Sequence, residues 1–174
     1  MFERMKIMDR KWVSPLVLLA LIALVWLLRG TGHPEQVPAL QVALLDGGRI
    51  DLGNADGKVR LVNFWSTSCG PCIKGMPGLA DTHRRHAARG FEVVAVAMSY
   101  DAPSHVQDFA QREKLPFRVG FDPVGALDRG FGGIRATPTS FLVDRDGRIV
   151  KRIIGNPDHR QLDALIDTLL PPAS

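Results

Sequence analysis

The chain has 174 residues, enough for one domain that buries its own core without disulfide staples. Its formal charge of +4 sits mostly in residues 1–32, which carry five Lys/Arg against two acids, while the remainder holds 17 against 16. That near-balance, with no basic stripe interleaved with aromatics, argues against nucleic acid as a partner, and the ordinary composition argues against disorder.

Residues 1–11 form a short charged segment containing Arg4, Lys6, Arg10 and Lys11. Residues 12–28, "WVSPLVLLALIALVWLL", carry no charge, and every residue from Leu16 onward is apolar. A spanning helix needs roughly 20 residues for a ~30 Å hydrocarbon core. This run is slightly short, but Trp12 and Trp26 suit the interfaces and Arg29 can snorkel. Four cationic residues precede the run, so the positive-inside rule places residues 1–11 in the cytoplasm and everything after Arg29 outside. The reading is a single-pass transmembrane anchor. A cleaved signal peptide shares the pattern, with small residues at Gly30–Gly32, and it too exports the domain. Residues 29–39, with two prolines and two glycines, read as a linker to a domain over 40–174.

Within the domain, Leu40–Leu45 and Arg49–Leu52 flank Asp46-Gly47-Gly48, the pattern of a β-hairpin. "KVRLVNFW", Lys58–Trp65, is a strand that runs into the cysteine segment. A helix follows to about Arg89, with Gly90 as its stop. "FEVVAVAM", Phe91–Met98, is a buried-type strand. Asp101 is placed to cap a helix to about Lys114, with Val106, Phe109 and Ala110 on one face. "PFRVGFD" supplies a short strand and Val124–Phe131 a short helix. "TSFLVDRDGRIVKRIIG" is a hairpin turning at Asp146-Gly147, and Asn156-Pro157-Asp158 opens a last helix with Pro157 in its first position. The apolar positions Leu162, Leu165, Ile166 and Leu169 follow the helical period. Strands alternating with helices make this an α/β domain with a central mixed sheet flanked by helices.

The only cysteines, Cys69 and Cys72, lie in "FWSTSCGPC", Phe64–Cys72. On a helical turn their Cα atoms stand about 5 Å apart, so the pair can open and close with little backbone movement. Its loop is too small to restrain the unfolded chain much, which counts against a structural staple. A structural zinc site needs four ligands, and the five histidines show no ligand spacing; His83 and His86, beside Arg84 and Arg85, read as a solvated helix face. No metal is therefore expected. Redox chemistry remains. Cys69 lies where a strand ends and a helix begins, and the helix N-terminus favours a thiolate there. Cys69 is the expected nucleophile, and the more shielded Cys72 is the expected resolving thiol.

"NFWSTSCGPC", Pro77 five residues after Cys72, and "ATPTSFLVDRDGRIV" together resemble the thioredoxin superfamily, most closely its membrane-anchored TlpA/ResA-like thiol-disulfide oxidoreductases, over about residues 38–170. The resemblance implies a thioredoxin-like fold and a redox-active disulfide, Cys69–Cys72, with no other cofactor. It makes Gly70 and Pro71 the active-site loop, and Pro138 a cis-proline beside the disulfide. Thr137 would present its backbone to an extended substrate strand, and Phe64 and Trp65 would be core and site-wall residues, with Trp65 in reach of substrate. The chain departs from its relatives at three places: Ser68 stands where many have Trp, Gly75 where ResA-type chains often have Glu, and Asn63 where thioredoxin has Asp. The carboxylates that would take the proton from Cys72 are thus missing at both usual positions.

The Gly-Pro dipeptide between the cysteines resembles thioredoxin, whose potential lies near about −270 mV, against about −120 mV for an exported oxidant. This favours reduction of disulfides in protein substrates. By resemblance the substrates are apocytochrome c or copper-site proteins, the electron donor is an integral-membrane thiol reductase, and the setting is the bacterial inner membrane with the domain in the periplasm. Two alternatives belong to other classes. A peroxiredoxin-like thiol peroxidase is suggested by "AVAMSYDAPSHVQDFAQREKLPF", although Val62 stands where the peroxidase loop has proline. A copper-binding chaperone of thioredoxin fold would use a wider thiol spacing and a histidine ligand.

Overall fold

The computed structural model describes residues 36–172. The expected cytoplasmic segment over 1–11, the expected anchor over 12–28 and most of the expected linker lie outside the described residues. Among those described, no helix is long and apolar enough to cross a membrane.

Seven strands form one sheet in the order β2-β1-β5-β4-β3-β6-β7. They are β1 Gln41–Leu44, β2 Arg49–Asp51, β3 Val59–Trp65, β4 Phe91–Ala97, β5 Arg118–Phe121, β6 Thr139–Val143 and β7 Ile149–Ile154. Helix α1 is Gly70–His86, α2 Pro103–Arg112, α3 Ala126–Gly130 and α4 His159–Leu169. The pairs β3–β4 and β4–β5 are parallel, and β1, β6 and β7 join antiparallel. The sheet is therefore mixed, with its parallel centre connected by α1 and α2.

Every residue of β3, β4 and β6 is buried, as strands covered on both faces require. Side-chain alternation divides their residues between two cores. Leu61, Trp65, Val93 and Ala95 pack with Met76, Leu79, Phe109, Leu162 and Ile166 of α1, α2 and α4. Val62, Phe64, Val94 and Val96 pack on the other face with Val42, Ile50, Leu127, Phe131 and Phe141. Arg60 also points into this second layer and is 1% exposed. Its guanidinium pairs with Glu92 at 2.6 Å and donates to the carbonyls of Asp51 and Asn54, which gives the buried charge its partners.

The structure corrects four local expectations. Asp101 does not cap α2: the N-cap is Ala102, which makes no side-chain bond, and the Asp101 carboxylate turns to the cysteine loop. Pro157 precedes α4 instead of opening it, because Asp158 is the N-cap and accepts from the N–H groups of Arg160 and Gln161. His83 and His86 are not a solvated face. His86 is 6% exposed, packed on Phe91 with Nε2 3.2 Å from Asp163, and His83 accepts the Val93 N–H on Nδ1. Helix α4 and the edge of β4 cover that side of α1, which local sequence does not reveal. Finally, the last residues of the expected linker join the domain: Gln36 bridges to Arg148, and Val37 is buried with its N–H on Gly147. The helix after the cysteines ends at His86 with a 3-10 turn over Ala87–Arg89, and Gly90 closes it at a left-handed φ of 93°.

Candidate active site

Strand β3 ends at Trp65, and the chain leaves the sheet through Ser66, Thr67 and Ser68 before entering α1. Cys69 is the N-cap of that helix, with extended backbone at φ −91° and ψ 101°. Its Sγ accepts the Cys72 N–H at 3.2 Å, which satisfies one of the free donors of the first turn. Cys69 and Cys72 are joined as a disulfide with their Cα atoms 5.2 Å apart. Cys69 is half-buried and Cys72 is 2% exposed, so one sulfur faces outward and the other faces the core. Gly70 and Pro71 form the exposed first turn between them.

The β6 end of the sheet closes the site from across the cysteines. The Thr137–Pro138 peptide bond is cis. The Thr137 carbonyl oxygen lies 3.4 Å from Cys69 Sγ. The Pro138 carbonyl accepts from Gly155 N–H at 2.7 Å, and Thr139 Oγ1 donates to Ala136 O at 2.7 Å, so the loop is tied to β7 and to itself. Of the residues singled out in the sequence, Cys69, Cys72, Gly70, Pro71, Thr137 and Pro138 share the same end of the domain. Trp65 is the exception. It is fully buried against Phe109, at 5.2 Å between ring centroids, and a residue with no exposed surface cannot wall a substrate site. It packs beneath the cysteine turn.

Two residues at the site were not legible as such in the sequence. The Asp101 carboxylate is buried at the end of β4. Its Oδ1 accepts from the hydroxyls of Ser66 and Thr67, both at 2.9 Å, and its Oδ2 accepts the Thr67 N–H at 2.7 Å. It thereby holds the loop that carries Cys69. The available signal was the hydroxyl run Ser66-Thr67-Ser68, which needs an acceptor when buried. The second is Asn156, in the turn between β7 and α4. Its Nδ2 donates to the Pro71 carbonyl at 3.0 Å. A Cβ on Gly75 would stand 2.2 Å from its Oδ1. The space that a side chain at position 75 would enter is therefore taken by a carboxamide from a distant loop. Asn63 is buried as well, and its Nδ2 donates to Ser140 Oγ at 2.9 Å. Neither amide can serve as a proton acceptor in place of a carboxylate.

Among the described residues no group of three or more His, Cys, Asp or Glu side chains is placed to hold a metal ion. An open groove lined by Thr67, Ile73, His105, Asp108, Phe109 and Arg112 runs beside the cysteine turn between α1 and α2. A larger hollow of about 560 Å³ beside His83, Glu92 and Gln107 includes neither cysteine in its lining.

The arrangement can pass electrons through a dithiol and its disulfide, and known proteins with the same fold do so. The Redoxin family model matches residues 33–166. The thiol-disulfide oxidoreductase ResA of Bacillus thuringiensis (strain Al Hakam) is 33% identical over 137 residues, covering 79% of this chain and 78% of ResA. The thiol:disulfide interchange protein HelX of Rhodobacter capsulatus is 36% identical over 141 residues, covering 78% of this chain and 76% of HelX. The crystal structure of a thioredoxin-family thiol:disulfide interchange protein from Chlorobium tepidum superposes with a TM-score of 0.72 at 26% identity, covering 80% of this chain and 99% of that one.

Proposed function

The chain belongs to the Redoxin family and is a thiol-disulfide oxidoreductase of the ResA type, and on that premise we propose that it reduces disulfides in exported proteins. The observation that carries this reading is the unequal exposure of the pair: Cys69 outward at a helix N-cap with an N–H on its sulfur, Cys72 inward one turn later.

In the reduced chain the Cys69 thiolate attacks one sulfur of the substrate disulfide. The substrate S–S bond breaks, a Cys69–substrate disulfide forms, and the first substrate thiolate leaves and takes a proton. Cys72 then loses its proton and attacks Cys69 Sγ. The mixed disulfide breaks and the second substrate thiol is released. Two electrons have moved to the substrate, one of its two new protons has come from Cys72 and the other from water, and the chain is left as its Cys69–Cys72 disulfide. That disulfide is the whole redox centre, and no further cofactor takes part. The step supplied by a carboxylate in related chains falls here to water or to the departing substrate thiolate, in keeping with the amides at 63 and 156.

Residues 12–28 hold the chain in the membrane, with residues 1–11 inside and the domain in the periplasm or its equivalent. Electrons return from an integral-membrane thiol reductase. Apocytochrome c and copper-site proteins, whose cysteines must be reduced before haem or metal attaches, are the proposed substrates. The test is trapping in cells. With Cys72→Ser the second attack is blocked, so physiological substrates accumulate on Cys69 and can be identified after non-reducing separation. Recovery of haem- or copper-site proteins is expected. Adducts limited to small thiols, or rapid peroxide turnover by the purified chain, would overturn the reading. Protease protection in spheroplasts checks the topology.

A further inference from the structure

Three oxygens form a line from the interior to the surface beside Cys69. Asp101 Oδ1 lies 2.9 Å from Ser66 Oγ, and Ser66 Oγ lies 2.8 Å from Ser68 Oγ. Asp101 and Ser66 are buried and Ser68 is exposed. The direction of these bonds follows from the inventory of donors. The carboxylate accepts throughout: Oδ2 takes the Thr67 N–H, and Oδ1 takes the hydroxyls of Ser66 and Thr67. A hydroxyl has one proton, and that of Ser66 goes to Asp101. Ser66 Oγ also accepts the Ser68 N–H at 3.2 Å. Between the two serine hydroxyls, Ser68 must therefore be the donor. Its only proton points inward, and what it offers to the outside is a pair of lone pairs. Across the cysteine the Thr137 carbonyl, 3.4 Å from Cys69 Sγ, is another acceptor.

We infer that Ser68 is a specificity-determining residue, whose outward lone pairs accept an amide N–H of the substrate segment next to its cysteine, with the buried Ser66 and Asp101 as positioning residues that set this polarity. The inference rests on the reductase reading above and names what that site recognises: a peptide backbone presenting a donor, not merely a disulfide. Asp101→Asn isolates the polarity from the shape. The amide oxygen can still take the Thr67 N–H, while its NH2 donates to the Ser66 and Thr67 hydroxyls. The Ser66 proton is then released to Ser68, and Ser68 turns its own O–H outward.

The experiment uses the full chain, purified in detergent and recycled with excess dithiothreitol. Its disulfides are a cystine-bridged peptide, the same peptide N-methylated on both sides of its cysteine, and hydroxyethyl disulfide. The readout is the ratio of kcat/KM for the peptide to that for hydroxyethyl disulfide. For one hydrogen bond the ratio is expected to fall about three- to tenfold in Ser68→Ala and in Asp101→Asn, through KM more than kcat. Ser68→Thr, which keeps the hydroxyl, should restore it. For the N-methylated peptide, Ser68→Ala should lower the ratio no further than methylation alone does. An unchanged ratio in Ser68→Ala, or an equal loss on the N-methylated peptide, overturns the inference. Because Ser68 is exposed, these two arms hold even if Asp101→Asn fails to fold. Reduction of neither disulfide by the parent chain would overturn the reductase reading and this inference with it, whereas reduction of both with an unchanged ratio would remove only the role of Ser68.

Discussion

Replacing Gly75 by alanine sets two effects of similar size against each other. Gly75 lies inside α1, so alanine gains about 1 kcal/mol of helix propensity. Its Cβ, however, would stand 2.2 Å from Asn156 Oδ1 and 2.9 Å from Cγ. These are the far atoms of an exposed side chain and not backbone, so Asn156 can swing away. It then loses the bond from Nδ2 to the Pro71 carbonyl, worth about 0.5–1.5 kcal/mol and near the lower end because water can replace it. The net change expected in Gly75→Ala is within about 1 kcal/mol of zero. In an Asn156→Ala background the obstruction is absent, and the same substitution should stabilise by about 1 kcal/mol. The cycle thus has a coupling energy of roughly 1 kcal/mol. Urea unfolding of the four chains, followed by tryptophan fluorescence, measures it. A loss above about 2 kcal/mol in Gly75→Ala, or no coupling between the two positions, would refute the claim that Asn156 fills the space at 75. The functional corollary is that Gly75→Glu, which returns the carboxylate of related chains, fits only where Asn156 has swung aside or is shortened.

Three other outcomes are expected. Glu92→Gln strips the buried Arg60 of its charge partner and should cost about 3–5 kcal/mol in urea unfolding, while Arg60→Met combined with Glu92→Gln should recover part of it; a loss below about 1 kcal/mol would contradict the pairing. Burial holds the His83 imidazole below its ordinary pKa of 6.5, against the opposing pull of Glu92 and the Pro116 carbonyl and with a smaller push from Arg84. A base with a lowered folded pKa contributes stability that is present above 6.5 and lost as the pH falls through and below that value, when the proton displaces the Val93 N–H from Nδ1. His83→Gln should therefore show a smaller drop in Tm between about pH 7.5 and 5.5 than the parent chain, and equal drops would exclude this role. In the reduced chain iodoacetamide should label Cys69 well before Cys72, since Cys72 is 2% exposed; peptide mapping of the adducts checks the order, and preferential labelling of Cys72 would reverse the assigned roles.

What could be read from the chain without its fold was local. The β-branched run before the cysteines, Gly90 after the helix, the Asp146-Gly147 turn and the period of Leu162, Leu165, Ile166 and Leu169 each encode backbone shape within a few residues. The three-residue spacing of Cys69 and Cys72 likewise showed that the pair can close across one helical turn, and the strand-to-helix boundary put Cys69 at the helix start. Tertiary structure decided the partners. Asp101 read as a helix cap from its place just before that helix, but only the parallel pairing of β3 with β4 brings it to Ser66, 35 positions away. His86 looked solvated among arginines until α4 laid Asp163 against it. Trp65 looked like a site wall until α2 covered it with Phe109. Asn156 reaches Pro71 across 85 positions because β7 ends beside the first turn of α1. Backbone propensity acts over a few bonds and is written in neighbouring residues. Burial and hydrogen-bond pairing depend on which elements the sheet order brings side by side, and that order is set by the packing of the whole core.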